Sequence, residues 1–204
     1  MKKNFFLCLL LTMIAVSSYS QETTESKDSH DSKISFRFGV KGGKSRSDAQ
    51  ITGGYDLNHY KGYQLGAYTE ITKSDINYFF LRGSILFSKR GLKYLKEETT
   101  NQYIQIPVQL GFKYPVVKFA SVYAVAGPSA NFRTYGSEYI KGFSPNDRWY
   151  TKKFVLGTES GVGIEFFKHI QVECSYQYGL TPDYKSSGNT ARNSSLLFSA
   201  GIIF

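Results

Sequence analysis

The sequence contains few of the residue types on which catalytic and metal sites depend. It has three histidines and two cysteines in 204 residues, and Cys8 lies in an N-terminal apolar segment. Cys174 is then the only cysteine of the mature chain, which excludes an intramolecular disulfide. His30 falls in a polar spacer, His59 in a long loop and His169 at a short turn. We therefore expect no catalytic residues, no metal site and no cofactor.

The sequence also lacks an apolar run long enough to cross a bilayer as a helix. The N-terminal run, residues 5–16, is shorter than the about 20 apolar residues that such a helix needs. It follows two lysines and precedes the small residues Ser18 and Ser20, a pattern typical of a cleaved signal peptide. We predict a signal peptide over residues 1–20, with a retained N-terminal anchor as the alternative.

The rest of the chain divides into a polar segment and a strand-forming region. Residues 21–33 have no aliphatic or aromatic side chain, which predicts a disordered periplasmic spacer. From Ile34 onward, apolar and polar residues alternate with a period of two, the pattern of amphipathic strands. Residues 119–132 form an eighth strand by composition, but their faces remain unassigned. The seven alternating segments are residues 34–43, 62–71, 78–88, 103–114, 154–166, 169–180 and 196–204.

The connections between these segments alternate strictly between short and long. The short ones are residues 73–76, 115–118 and 167–168, and the long ones are 44–60, 91–101, 133–153 and 181–192. Transmembrane barrels combine an even number of strands with short periplasmic turns and longer extracellular loops. The sequence therefore predicts an all-β fold, an eight-stranded antiparallel up-and-down transmembrane β-barrel over residues 34–204. A soluble periplasmic β-sandwich is the alternative.

The polar strand faces carry four basic and four acidic residues, which the barrel prediction places in the lumen. An eight-stranded barrel has an interior that side chains just fill. We therefore expect these charges to neutralise one another in a lumen charge network, without an open pore. The eight residues are Arg37, Lys41, Glu70, Arg82, Lys113, Glu159, Glu165 and Glu173.

Four short motifs follow one another along the predicted strands. They are FGVKGG at residues 38–43, LFSKRG at 86–91, YIQIPV at 103–108 and AGP at 126–128. With the final phenylalanine, they resemble the PorT-like outer-membrane β-barrel family over about residues 34–204. The third motif has Gln105 where that family usually has Glu. The resemblance implies a barrel in the outer membrane of a Gram-negative bacterium, and the family's namesake implies an accessory role in protein secretion as an alternative.

Pro107 stands in the middle of one predicted strand. Proline removes a donor from the hydrogen-bond ladder and is usually confined to strand edges or bulges. We interpret Pro107 as a β-bulge that bends the strand, with two short strands broken at this residue as the alternative.

The last segment ends on an aromatic residue. A C-terminal aromatic on an amphipathic strand resembles the signal that the barrel assembly machinery reads. We predict that one strand face forms this assembly signal, through Phe198, Ala200, Ile202 and Phe204.

Acidic residues are the minority, with 16 against 25 basic residues and a formal net charge of +9. Most of the excess lies in the predicted long loops, where lipopolysaccharide phosphates are the natural partner. Solvated loops without a ligand are the alternative. The loop cations are Lys44, Arg46, Lys93, Lys96, Arg133, Lys141, Arg148, Lys152, Lys153, Lys185 and Arg192.

These features favour an integral outer-membrane barrel with a structural or surface-interaction role. Its expected partners are outer-membrane lipids, lipopolysaccharide, the barrel assembly machinery and, in the alternative role, secretion-system proteins. Nucleic acid is implausible in this compartment. A lipid-modifying enzyme is a further alternative, and it would depend on His59, Asp56 and a loop serine.

Overall fold

The structure is a computed structural model that describes residues 34–51, 60–73, 78–94, 97–136, 139–141, 148–185 and 190–204. The predicted signal peptide and spacer lie outside the described residues, as do His59 and Asp56. Within the described part, no helix is long and apolar enough to cross a membrane.

Eight long antiparallel strands form a closed ring. They are β1 Ile34–Ile51, β2 Tyr60–Lys73, β3 Phe79–Tyr94, β4 Glu97–Val117, β5 Ala120–Gly136, β8 Phe154–Phe166, β9 Ile170–Gly179 and β11 Thr190–Ile203. Their order is β1-β2-β3-β4-β5-β8-β9-β11, and pairing between β1 and β11 closes it. This closure confirms the predicted eight-stranded barrel and excludes the β-sandwich, because a sandwich has two separate sheets.

Three short strands extend the sheet at the end with the long connections. They are β6 Tyr139–Lys141, β7 Arg148–Thr151 and β10 Tyr184–Lys185. β10 pairs with β11 and with β7, and β7 pairs with β6. The short turns lie at the opposite end, which is the periplasmic end in barrels of this kind.

The alternation of the sequence turns apolar residues outward and polar residues inward. On β1, Phe36, Phe38 and Val40 are exposed, whereas Lys41 is buried. This is the inverse of a soluble protein and matches a barrel whose outer face contacts lipid. The same pattern assigns the faces of β5, where Tyr123 points inward.

The strands extend into segments that the sequence predicts as loops. β1 continues to Ile51 through the predicted loop 44–60, and β3 and β4 occupy nearly all of the predicted loop 91–101. The predicted extents of these loops were therefore wrong. The reason is physical, because a strand that projects beyond the bilayer needs no apolar face and so loses its alternation. Predicted loops 133–153 and 181–192 likewise contain the short strands.

Pro107 neither bulges nor breaks its strand, so both interpretations of this residue were wrong. β4 is one continuous strand, and the β4–β5 register has the same offset at Pro107 and at Leu110. The β3–β4 pairing lapses opposite Pro107 and then resumes in the same register. A local lapse accommodates the missing donor without an extra residue. The register shifts of β4 lie near its two ends, one of them between Gln102 and Tyr103.

Candidate functional site: the charge network in the lumen

Arg82 on β3 lies at the centre of the network of inward-facing charges. Its side chain is fully buried, and it donates hydrogen bonds to Glu173 on β9 and, over 2.7 Å, to Glu70 on β2. In the ring, β3 and β9 are four positions apart and therefore face each other across the lumen. The Arg82–Glu173 pair consequently spans the full width of the barrel.

Two further cations contact Glu70 and a third carboxylate, that of Glu165, nearer the periplasmic end. Lys113 on β4 lies 3.1 Å from Glu70 and 2.6 Å from Glu165. Arg37 on β1 also contacts both, with 3.1 Å to Glu165 on β8. Glu70 therefore has three cationic partners, which compensate for the cost of burying its charge.

Lys41 connects the last acid, Glu159, to the network. Its Nζ lies 3.1 Å from Glu173 and 4.0 Å from Glu159. Gln177 donates a hydrogen bond of 2.7 Å to the same Glu159 carboxylate. The structure thus brings the eight residues singled out in the sequence into one connected group of four positive and four negative charges.

Two glutamines of this group, Gln177 and Gln171, were not predicted from the sequence. Gln171 on β9 accepts hydrogen bonds from Tyr68 and Arg82, over 3.0 and 3.2 Å. Its amide donates to Glu165 over 2.8 Å and to Glu70 over 3.2 Å. Gln171 therefore links Arg82 to Glu165, two residues between which no direct ion pair is formed.

Three aromatic residues that surround the Arg82 guanidinium were also not predicted from the sequence. Its central carbon lies 5.1 Å from the ring centre of Tyr68, 5.3 Å from that of Phe80 and 4.9 Å from that of Tyr123. Such cation–π contacts are stronger in a site without water. The aromatic rings also fill space that would otherwise admit water around the ion pairs.

Each of these rings lies over a glycine of the adjacent strand. The cross-strand pairs are Gly39 with Tyr68, Phe80 with Gly111 and Tyr123 with Gly163. A Cβ added to Gly111 would lie 2.2 Å from Phe80 Cζ, and the other two glycines have similarly short contacts. An inward glycine directly opposite an inward aromatic is the signal that could have revealed these residues, once the strand register is known.

A second polar cluster lies nearer the extracellular end. Gln105 donates a hydrogen bond of 2.7 Å to Asn131, and the buried Arg90 lies 3.5 Å from the same oxygen. Asp183 follows β9, outside the membrane-spanning segments, and it is also buried. Burial raises the pKa of this carboxyl to about 6, although the nearby Arg90 charge acts in the opposite direction.

A family model described as "Outer membrane protein beta-barrel domain" matches residues 19–184 of the chain. The chain belongs to this family. The protein is therefore an outer-membrane β-barrel of a Gram-negative bacterium, in agreement with its closed ring and its apolar outer face. Comparison with curated proteins gives no match.

Several solved structures are similar to this outer-membrane barrel. The attachment invasion locus protein Ail of Yersinia pestis has 16% sequence identity and a TM-score of 0.47, covering 83% of this chain and 99% of its own. Neisserial surface protein A has 15% identity and a TM-score of 0.49, covering 81% and 96%. OprG from Pseudomonas aeruginosa has 12% identity and a TM-score of 0.44, covering 82% and 95%.

The residues of the predicted assembly signal lie on the outer face of β11, the strand that closes the barrel, and at Phe204, which follows it. Phe204 donates a backbone hydrogen bond of 2.6 Å to Phe38 and accepts one of 3.3 Å in return. Its side chain is exposed toward the lipid side of the periplasmic rim. The exposed outer face of this end of the chain consists of Phe198, Ala200, Ile202 and Phe204.

The described part of the barrel contains no cluster of three or more histidine, cysteine or acidic side chains placed to bind a metal ion. His169 lies at the periplasmic turn before β9, where its Nδ1 is 3.1 Å from the Ile203 carbonyl oxygen. The network itself consists of charges that neutralise one another. Its evident physical effect is to occupy the lumen and connect opposite walls.

Proposed function

We propose that this outer-membrane barrel is non-conducting and non-enzymatic, and that it serves a structural or surface-interaction role. The Arg82–Glu173 pair across the lumen is the observation that supports this proposal best. An ion that crosses the barrel would have to separate buried pairs in a medium of low dielectric constant, at a cost of several kcal/mol for each charge.

Single-channel recording in planar lipid bilayers tests the sealed lumen. We expect no conductance steps from the purified full chain in about 1 M KCl, a concentration at which even narrow pores give measurable currents. Arg82→Ala/Glu173→Ala removes the pair without changing the net charge and is the control for detecting an opened lumen. Reproducible steps from the unaltered protein would overturn the proposal of a sealed barrel.

The non-enzymatic part of the proposal has a separate test. Mass spectrometry of lipid A from cells with and without the protein should give the same spectrum. A modified lipid A species that depends on the protein and disappears in His59→Ala would favour the lipid-modifying enzyme instead.

A PorT-like accessory role in protein secretion is the second proposal. It is supported by the four ordered motifs, whose residues lie on β1, β3, β4 and β5. Deletion of the gene should then reduce the export of other proteins across the outer membrane. Unchanged secretion in the deletion strain would reject this role, and the proposal of a non-conducting barrel would still stand.

A further inference from the structure

Charges are distributed unequally between the inside and the outside of the barrel. Among the side chains that the structure describes, all five acidic ones are buried: Glu70, Glu159, Glu165, Glu173 and Asp183. The exposed charged side chains in the same part of the chain are all basic. The outward-facing side chains that the structure describes therefore carry a net positive charge.

Four outward-facing cations form a patch on the outer wall of three neighbouring strands. Lys44 and Arg46 lie on β1, Lys61 on β2 and Lys89 on β3, and all point outward. The first three are exposed and Lys89 is half-buried. We call these four residues the outer basic patch.

The strand register places these charges side by side. Arg46 lies directly opposite Lys61, and like charges in this position repel each other. Within the described part of the chain, no side chain of the outer basic patch forms an ion pair. The arrangement is therefore unfavourable unless an anion lies between the cations.

Tyr63 lies in the middle of the patch. It is paired with Lys44 on one side and with Lys89 on the other, and its ring is exposed on the same outward face. Tyrosine is common at the boundary between lipid and water, where its ring contacts lipid and its hydroxyl contacts polar headgroups.

The patch lies at the outer boundary of the apolar band. On β2, Lys61 and Lys73 delimit the outward residues that contact lipid, and they are twelve positions apart. At about 3.3 Å per residue and a tilt of about 40°, this corresponds to about 30 Å across the membrane. That distance equals the thickness of the hydrocarbon core, about 30 Å. The patch is therefore level with the headgroups of the outer leaflet.

We propose that the outer basic patch binds the phosphate groups of lipopolysaccharide in the outer leaflet, with Lys44, Arg46, Lys61 and Lys89 as the phosphate ligands. The patch faces laterally from the barrel wall at headgroup depth, so membrane lipid is the partner that meets it. Ammonium and guanidinium groups form strong charge-assisted hydrogen bonds with phosphate oxygens. This inference does not depend on whether the lumen conducts ions.

Titration of the detergent-solubilised full chain with bisphosphorylated lipid A, followed by native mass spectrometry, tests the site. We expect Arg46→Gln/Lys61→Gln to bind lipid A about 30-fold more weakly, since each basic residue near an anionic membrane surface contributes about fivefold. The matched control is Lys118→Gln/Lys168→Asn, which removes the same charge from exposed lysines of the periplasmic turns. It should change binding less than twofold.

Two further measurements test whether the phosphates are what the patch binds. Lipid A without phosphates should bind the unaltered protein more weakly than the bisphosphorylated form binds the variant, because it loses the contacts with all four cations and the variant loses only two. Lys44→Gln/Lys89→Gln repeats the test on the other pair if the first variant does not show the mobility shift of a folded barrel on unboiled gels. Equal binding of the two lipid A forms, unaltered binding by the variants, or an equal loss in the periplasmic control would each overturn the proposal.

Discussion

Arg82 forms contacts with more of the surrounding lumen than a single ion pair would provide. Its guanidinium is surrounded by three aromatic rings, and it forms hydrogen bonds with carboxylates on the neighbouring strand β2 and on the opposite strand β9. A buried ion pair contributes little compared with an apolar core, but removal of one partner leaves a charge without compensation. Arg82 is therefore expected to be the least replaceable charge in the barrel.

We predict that Arg82→Met lowers the free energy of unfolding by about 3–5 kcal/mol. Glu70 and Glu173 would then share the remaining cations, and the second mutation in Arg82→Met/Glu173→Gln should restore part of the loss. Urea unfolding of the barrel in lipid vesicles measures both. Arg37→Met is the comparison, because the Arg37 side chain is 27% exposed and water solvates the charges that remain. Equal effects at the two arginines would contradict this account.

Protonation of Asp183, at the extracellular end, should make the free energy of unfolding depend on pH. Burial raises the pKa of its carboxyl from 3.8 to about 6, so the folded barrel favours the protonated form. The contribution of this group to stability is fully present below about pH 4 and is lost as the pH rises through 6. The change amounts to at most about 3 kcal/mol.

Asp183→Asn isolates this contribution, because an amide does not titrate. The difference in unfolding free energy between the unaltered protein and the variant should shift in favour of the variant between pH 4 and pH 7.5. Other titrating groups affect both proteins and cancel in the comparison. A difference that stays constant over this range would show that Asp183 is not the titrating group.

At the scale of strands, the sequence predicts the strands correctly within the bilayer, where one face must contact lipid and the other must face the lumen. A residue such as Phe38 must be apolar because it contacts lipid, and Arg37 beside it must find partners in the lumen. Beyond the bilayer both faces of a strand are polar, so the ends of β1, β3 and β4 gave no signal. Alternation also fixes a face without fixing the register, so Phe80 and Gly111 could not be paired from the sequence.

The glycine–aromatic pairs are strand features that mutation can test. Gly111→Ala should destabilise the barrel by about 1–3 kcal/mol, because the added methyl group would displace the Phe80 ring from beside Arg82. Gly83→Ala is the matched control, since a Cβ there faces outward and meets only Thr69 Cγ2, at 4.0 Å. Thermal unfolding monitored by gel mobility compares the two variants. A stable Gly111→Ala barrel would show that the ring can move freely.

At the scale of the whole molecule, we propose that assembly depends on the C-terminal strand. Phe204→Ala leaves the backbone hydrogen bonds to Phe38 available but removes the exposed ring, so the finished barrel should be nearly as stable as before. Its yield in the outer membrane should fall several-fold, with unfolded protein accumulating in the periplasm. Phe204→Tyr is the control that retains an aromatic ring. A normal yield of Phe204→Ala in pulse-chase fractionation would reject the assembly signal.

The pairing of β1 with β11 also constrains the timing of biogenesis. The partners Gly39 and Ile203 lie near opposite ends of the barrel sequence, so the first strand exported lacks one of its two final neighbours until the last strand arrives. Contacts so distant in sequence form slowly. An unpaired strand edge is also open to pairing with other chains. We therefore expect the exported chain to need protection from aggregation throughout its passage through the periplasm, a need that ends only when the ring closes.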